Sequence, residues 1–169
     1  MYSIVTRCIV LSLTVLAGCT GRESVIQEDL NPPAVQQQEE KDLMDLQGKV
    51  WKLESVKSTA ADNGFTRKKL DAADMGDFYT LQFDDQRISG KAAPNQYSAA
   101  YHQDGKQGIG FSAMVSTRMM SFKEPEDLKE HEYYLYLSRV RRWDLVQDKL
   151  ELYTADEEGL EVILIFGTQ

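Results

Sequence analysis

Few residues of this chain combine the types and spacings that chemistry requires. Gly108-Ile109-Gly110-Phe111-Ser112-Ala113 satisfies a dinucleotide fingerprint with alanine in its last place. In that fingerprint the glycines let backbone approach a pyrophosphate at the start of a helix. It needs a strand before it and a helix opening at it, whereas Phe111 to Thr117 is a poor helix in a chain with no βαβ pattern. A glycine-rich strand entry is the expectation. Gly110-Phe111-Ser112-Ala113-Met114 begins like a nucleophile elbow but lacks its second glycine. His131 beside Glu132 has the composition of an acid–base pair. Adjacent helical residues point about 100° apart, so a solvent-facing histidine is expected there, and His102 is read likewise. Asp84-Asp85 and Asp156-Glu157-Glu158 offer oxygens to a cation, but they sit where turns are expected, and calcium takes roughly six to eight ligands. No catalytic residue, metal or cofactor is therefore expected, and the chain is read as not an enzyme.

The cysteines speak of address instead. Met1 to Arg7 carries one basic residue, and Ile9 to Leu16 is an apolar run interrupted by Ser12 and Thr14. That run is far short of the roughly 20 residues that span a bilayer, and it suits a cleaved leader. Leu16-Ala17-Gly18-Cys19 resembles the bacterial lipoprotein signal, which implies cleavage before Cys19 and acylation of its sulfur. Two or more acyl chains hold a protein stably at a membrane. Thr20 after the cysteine implies the outer membrane facing the periplasm. Cys8 leaves with the leader, so the domain keeps no thiol for a disulfide or a metal.

The expected organisation is a leader over 1–18, a tether over 19–45 and one domain over 46–169. Pro32-Pro33, Gln36-Gln37-Gln38 and Glu39-Glu40 bury too little apolar surface to order the tether. As a coil of about 22 residues it would hold the domain about 25 Å from the bilayer. A short helix over Lys41 to Leu46, docking Leu43, Met44 and Leu46, is expected at the domain edge. Without Arg7 the mature chain has 18 basic against 27 acidic residues, a net charge of −9. That balance excludes nucleic acid, which demands a basic face, and electrostatic attachment to anionic lipid.

From Gln47 onward apolar residues recur mainly with period two, the mark of strands with one buried face. Trp51 and Leu53 open the series. Ser58 to Asp77 is read as a long loop with a helical turn over Arg67 to Ala73. Tyr79, Leu81 and Phe83 lead through Asp84-Asp85-Gln86 into Ile88, as a hairpin. Tyr97, Ala99 and Tyr101 precede the turn Gln103-Asp104-Gly105, and Ile109 to Ser112 and Met114 to Thr117 continue the sheet. Leu145, the turn Gln147-Asp148, Leu150 with Leu152, and Leu160 to Phe166 complete it. One helix is placed from Pro125, with Glu126, Asp127 and Glu130 at the positive end of its dipole and Tyr133, Leu137 and Val140 on its buried face. The expected class is α+β: a curved, barrel-like, mostly antiparallel sheet of about eight strands with one packed helix.

This order, with particular residues, resembles the META domain, the family of HslJ-like bacterial envelope proteins. Trp51 with Leu53, Phe83 with Ile88-Ser89-Gly90, Asn95-Gln96-Tyr97 with Tyr101, Thr117-Arg118-Met119, Glu132 with Leu137, and Leu150-Glu151-Leu152 before Phe166 carry the likeness. Family members often have cysteines where this chain has Pro94 and Ser121, and the resemblance implies that those two residues lie near one another. It also singles out Asn95, Tyr97, Tyr101, Thr117, Arg118 and Met119. These six form either a recognition surface or a structural motif. In the second case Asn95 bonds its own turn, the tyrosines pack with hydroxyls at the rim, and Arg118 pins a carboxylate on the helix.

The resemblance implies an envelope or stress-associated role. The functional expectation is a monomeric, membrane-anchored protein that supports envelope integrity or stress tolerance by binding an envelope protein. The alternative is an apolar-ligand carrier or a secretin-pilot-like assembly module, because a curved sheet under one helix can hold an apolar groove.

Overall fold

In a computed structural model of the protein, residues 42–59, 64–119 and 124–168 are described. They form nine strands: β1 Trp51–Ser58, β2 Thr80–Phe83, β3 Arg87–Lys91, β4 Gln96–Asp104, β5 Gly108–Phe111, β6 Val115–Ser116, β7 Arg142–Val146, β8 Lys149–Ala155 and β9 Glu161–Thr168. Two helices, α1 Arg67–Ala72 and α2 Glu130–Ser138, and a 3-10 turn at Leu43–Leu46 complete the set. Every strand pairing is antiparallel. The order β3-β2-β1-β9-β8-β7-β5-β4 returns to β3, so eight strands close a barrel and β6 lies outside the ring against β4. The expected α+β class is therefore the observed one.

Alternation builds the core. In β8 every second residue from Leu150 is buried, and in β9 Val162, Leu164 and Phe166 point inward from the facing register Leu152↔Leu164 and Leu150↔Phe166. The ring is filled by large side chains, with Trp51, Tyr79, Tyr133, Trp143 and Phe166 all under 2% exposed. At about 25 cal/mol per Å², burying such side chains is the main favourable term of folding. Trp51 donates its indole N–H to the Leu46 carbonyl at 3.0 Å, which fixes the N-terminal turn to β1. The Trp143 indole nitrogen is buried without a partner among the described residues. The turn at Gln147-Asp148 has positive φ at both residues, 50° and 64°, as the primed two-residue hairpin between β7 and β8 requires.

The ring is thin at one seam. Strands β5 and β7 meet only at Gly108↔Arg142, and α2 packs against β5 and β8 on either side of it. Tyr133 and Leu137, four residues apart on one helical face, are fully buried there, and Val140 follows just beyond the helix.

Several expectations are corrected in detail. The helix begins at Glu130, not at Pro125: Lys129 is the N-cap, its N–H donates to Glu132 at 2.7 Å in a capping box, and the Glu130 N–H donates to the Glu124 carboxylate at 2.8 Å. Met44 does not dock. It is 70% exposed while Leu43 and Leu46 are buried. The expected loop loses Ser58 to the end of β1, while the helical turn expected over Arg67 to Ala73 is present as α1. Cys19 and Ser121 lie outside the described residues, so the expected nearness of Pro94 and Ser121 does too.

Candidate functional site

Asn95 stands at the entry to β4, after a cis Ala93–Pro94 bond in the connection from β3. It is 6% exposed. Strand β6 lies beside the start of β4 with Tyr97↔Ser116 in register, which carries Thr117 and Met119 past Asn95. The Asn95 side-chain oxygen accepts from the Thr117 hydroxyl at 2.9 Å and from the Met119 N–H at 2.6 Å. Its amide nitrogen donates to Glu130 at 2.9 Å and to the Met119 carbonyl at 3.3 Å. The Asn95 backbone N–H donates to the other Glu130 oxygen at 3.0 Å. Thr117 in turn accepts from the Gln96 N–H at 3.1 Å. All the hydrogen-bonding positions of the amide are thereby filled, and the knot ties the first residue of α2 to the barrel.

Tyr97 is buried. Its hydroxyl donates to the Thr80 carbonyl at 2.8 Å and lies 3.0 Å from the hydroxyl of Tyr133. Its ring meets those of Tyr133 and Tyr134 edge-on, with centroids 5.9 and 5.7 Å away. Tyr79 donates to the Leu128 carbonyl. Tyr101 is half-buried and donates to the carbonyls of Asp84 and Asp85, 3.0 Å each, holding the acidic turn between β2 and β3. Of the two tyrosines expected to place hydroxyls at the rim, only Tyr101 does so. The expected carboxylate on the helix exists in Glu130, but Asn95 holds it, while Arg118 is exposed and Met119 is 57% exposed.

Burial raises these phenols together. Desolvation is the largest cause at Tyr79, Tyr97 and Tyr133, which are held well above the ordinary 10.0, and at Tyr134, which is pushed up to about 12. The folded protein thus retains protons that the unfolded chain releases above pH 10. Its stability is fully present below that pH and declines as pH rises from 10 through the folded-state values. We expect alkaline unfolding in which phenolate absorbance at 295 nm and tryptophan emission change together. Full phenolate formation with unchanged tryptophan emission would contradict this.

The remaining motifs have structural explanations. Gly110 faces His102 across β4 and β5, and a side-chain carbon on Gly110 would fall 2.7 Å from the imidazole Nε2. The dinucleotide-like spacing is therefore a strand pattern, with no helix opening at it. His131 is exposed. Sequence reasoning missed Arg67, the first residue of α1. Its half-buried guanidinium donates to the carbonyls of Leu53, Gly76, Phe78 and Tyr79, at 2.8, 3.2, 2.9 and 3.3 Å. It was hidden in a stretch without periodicity. Trp143 was missed because its strand carries only one other large inward residue in the sequence pattern, Leu145.

A closed antiparallel barrel of eight strands with one helix across its seam defines the class of protein. The META domain family matches residues 44–164, and the chain belongs to that family. Among solved structures it is similar to a protein from Burkholderia xenovorans determined by NMR, 19% identical, with a TM-score of 0.54 over 91% of this chain and 99% of that one. A DUF4847 family protein from Bacteroides vulgatus is 14% identical, with a TM-score of 0.48 over 72% of this chain and 93% of that one. No curated protein matches.

Proposed function

We propose that this META-domain protein is anchored to the bacterial envelope by acyl chains on Cys19, at the outer membrane facing the periplasm. There it acts without catalysis, as a monomer, by binding an envelope protein in support of envelope integrity or stress tolerance. The observation that supports the binding reading is the exposure of Arg118 and Met119 among the family-matched residues. Asn95 and Thr117 bond each other, Asn95 also bonds Glu130, and Tyr97 bonds the Thr80 carbonyl, so those groups serve the fold. The packed interior, with Trp51, Trp143 and Phe166 fully buried, speaks against the alternative of an apolar carrier that uses the barrel lumen.

Mass spectrometry of the mature protein tests the anchor: an N-terminal Cys19 bearing acyl chains is expected, and Cys19→Ala should move the protein to the soluble fraction. An unmodified Cys19, or a cut elsewhere, would refute the anchor. Crosslinking the intact lipoprotein in its own envelope should capture a reproducible envelope partner. Recovery of only abundant unrelated proteins would count against the partner.

A further inference from the structure

Outside the barrel, α1 and the segment 124–127 face each other across a groove of about 400 Å³. Ligand pockets begin near 300 Å³ and pair an apolar lining with a few polar groups. The floor here is apolar, with Phe65 and Leu70 at 2% and 3% exposure beside half-buried Met75 and buried Pro125. The rim is ionic. Lys69, the one cation among the described residues lining the groove, pairs with Asp127 at 2.7 Å and also donates to the Gly64 carbonyl at 2.8 Å. Glu124 and Glu126 remain on the rim, both exposed. Glu124 commits one oxygen to the Glu130 N–H.

From this pairing of an apolar floor with two rim carboxylates that form no ion pair among the described residues we propose that the groove binds a small amphiphilic cation, an apolar body carrying an ammonium. The body covers Leu70, Phe65 and Met75, and the ammonium sits between Glu124 and Glu126. An anion of the same shape meets two like charges, and a neutral one forgoes the attraction. Entry needs no opening of the barrel, and the site does not depend on the anchor or on an envelope protein partner.

Three probes of one shape test it: 4-phenylbutylamine, 4-phenylbutanol and 4-phenylbutyrate. They are titrated by ligand-observed NMR against the full chain in phosphatidylcholine nanodiscs, with empty nanodiscs as the blank. The amine should saturate with a Kd at least ten-fold below those of the alcohol and the acid, and added salt should narrow the gap. Glu126→Lys should erase that preference, and Ala73→Phe, which fills the groove from the end of α1, should weaken all three. Tryptophan emission reports whether each variant is folded, and if one fails to fold the other decides. Equal affinity for the three probes in the unaltered protein overturns the proposal. So does the absence of saturation above the blank, or amine binding unchanged in a folded variant.

Discussion

Asn95→Asp should destabilise the protein by about 3 kcal/mol, although it exchanges a single NH2 for oxygen, because hydrogen bonds to charged groups and unpaired buried polar atoms each cost on this scale. The oxygen that accepts from Thr117 and the Met119 N–H keeps its role. The new oxygen faces a Glu130 carboxylate and the Met119 carbonyl, both acceptors, where the amide donated at 2.9 and 3.3 Å. A charge-assisted bond thus becomes a like-charge contact at a nearly buried position. Glu130→Gln alone removes the charge but retains an acceptor, and should cost about 1 kcal/mol. Combined with Asn95→Asp it supplies an NH2 that the new carboxylate can accept from, with donor and acceptor exchanged across the same pair. The double variant should therefore be more stable than Asn95→Asp by about 1 kcal/mol or more, a coupling that contacting residues commonly show. Urea unfolding followed by tryptophan emission measures all three. Additive losses would mean that Asn95 and Glu130 do not act on each other.

Glu130 is also where the sequence becomes hard to read. Strands were legible because period-two burial is written into residues such as Leu150, Leu152, Val162, Leu164 and Phe166, whose alternation survives in the fold. The particular pairings that close the expected barrel-like sheet were not. Closure rests on β3 pairing both β2 and β4, and on one residue pair at the β5–β7 seam, and no local pattern encodes pairings between distant segments. Pro125 marked the approach to the helix correctly but not its first turn, since the cap is Lys129, boxed by the Glu132 carboxylate, with Glu124 bonding the next N–H. The same limit applies to the candidate site. Sequence likeness picked out Asn95, Thr117 and Met119, which do meet, yet the carboxylate that Asn95 bonds, Glu130, lies 35 residues further along the chain. Arg67 gave no signal because its four acceptors are backbone carbonyls, which have no residue type.

Gly90→Ala should destabilise the protein by about 3–5 kcal/mol, the sum of overpacking and a broken buried hydrogen bond. Gly90 lies in β3 opposite Tyr97, between β2 and β4. A carbon added there would press on the Thr80 carbonyl oxygen and stand 2.7 Å from the Tyr97 hydroxyl. Those are the two atoms joined at 2.8 Å in the tyrosine network. The Thr80 carbonyl cannot yield without moving the β2 backbone, and Tyr97 is hemmed in by the rings of Tyr133 and Tyr134. Glycine is needed here because no space exists for a side chain, not because of its backbone freedom. Tyr97→Phe alone should cost about 1 kcal/mol, the usual worth of one such bond. In the Gly90→Ala background it removes one of the two colliding atoms, so the pair should be less destabilised than the sum of its parts. A Gly90→Ala protein that melts within 2 °C of the unaltered one would show that β2 and β3 can separate freely, and that the hydroxyl network does not hold the barrel together at this point.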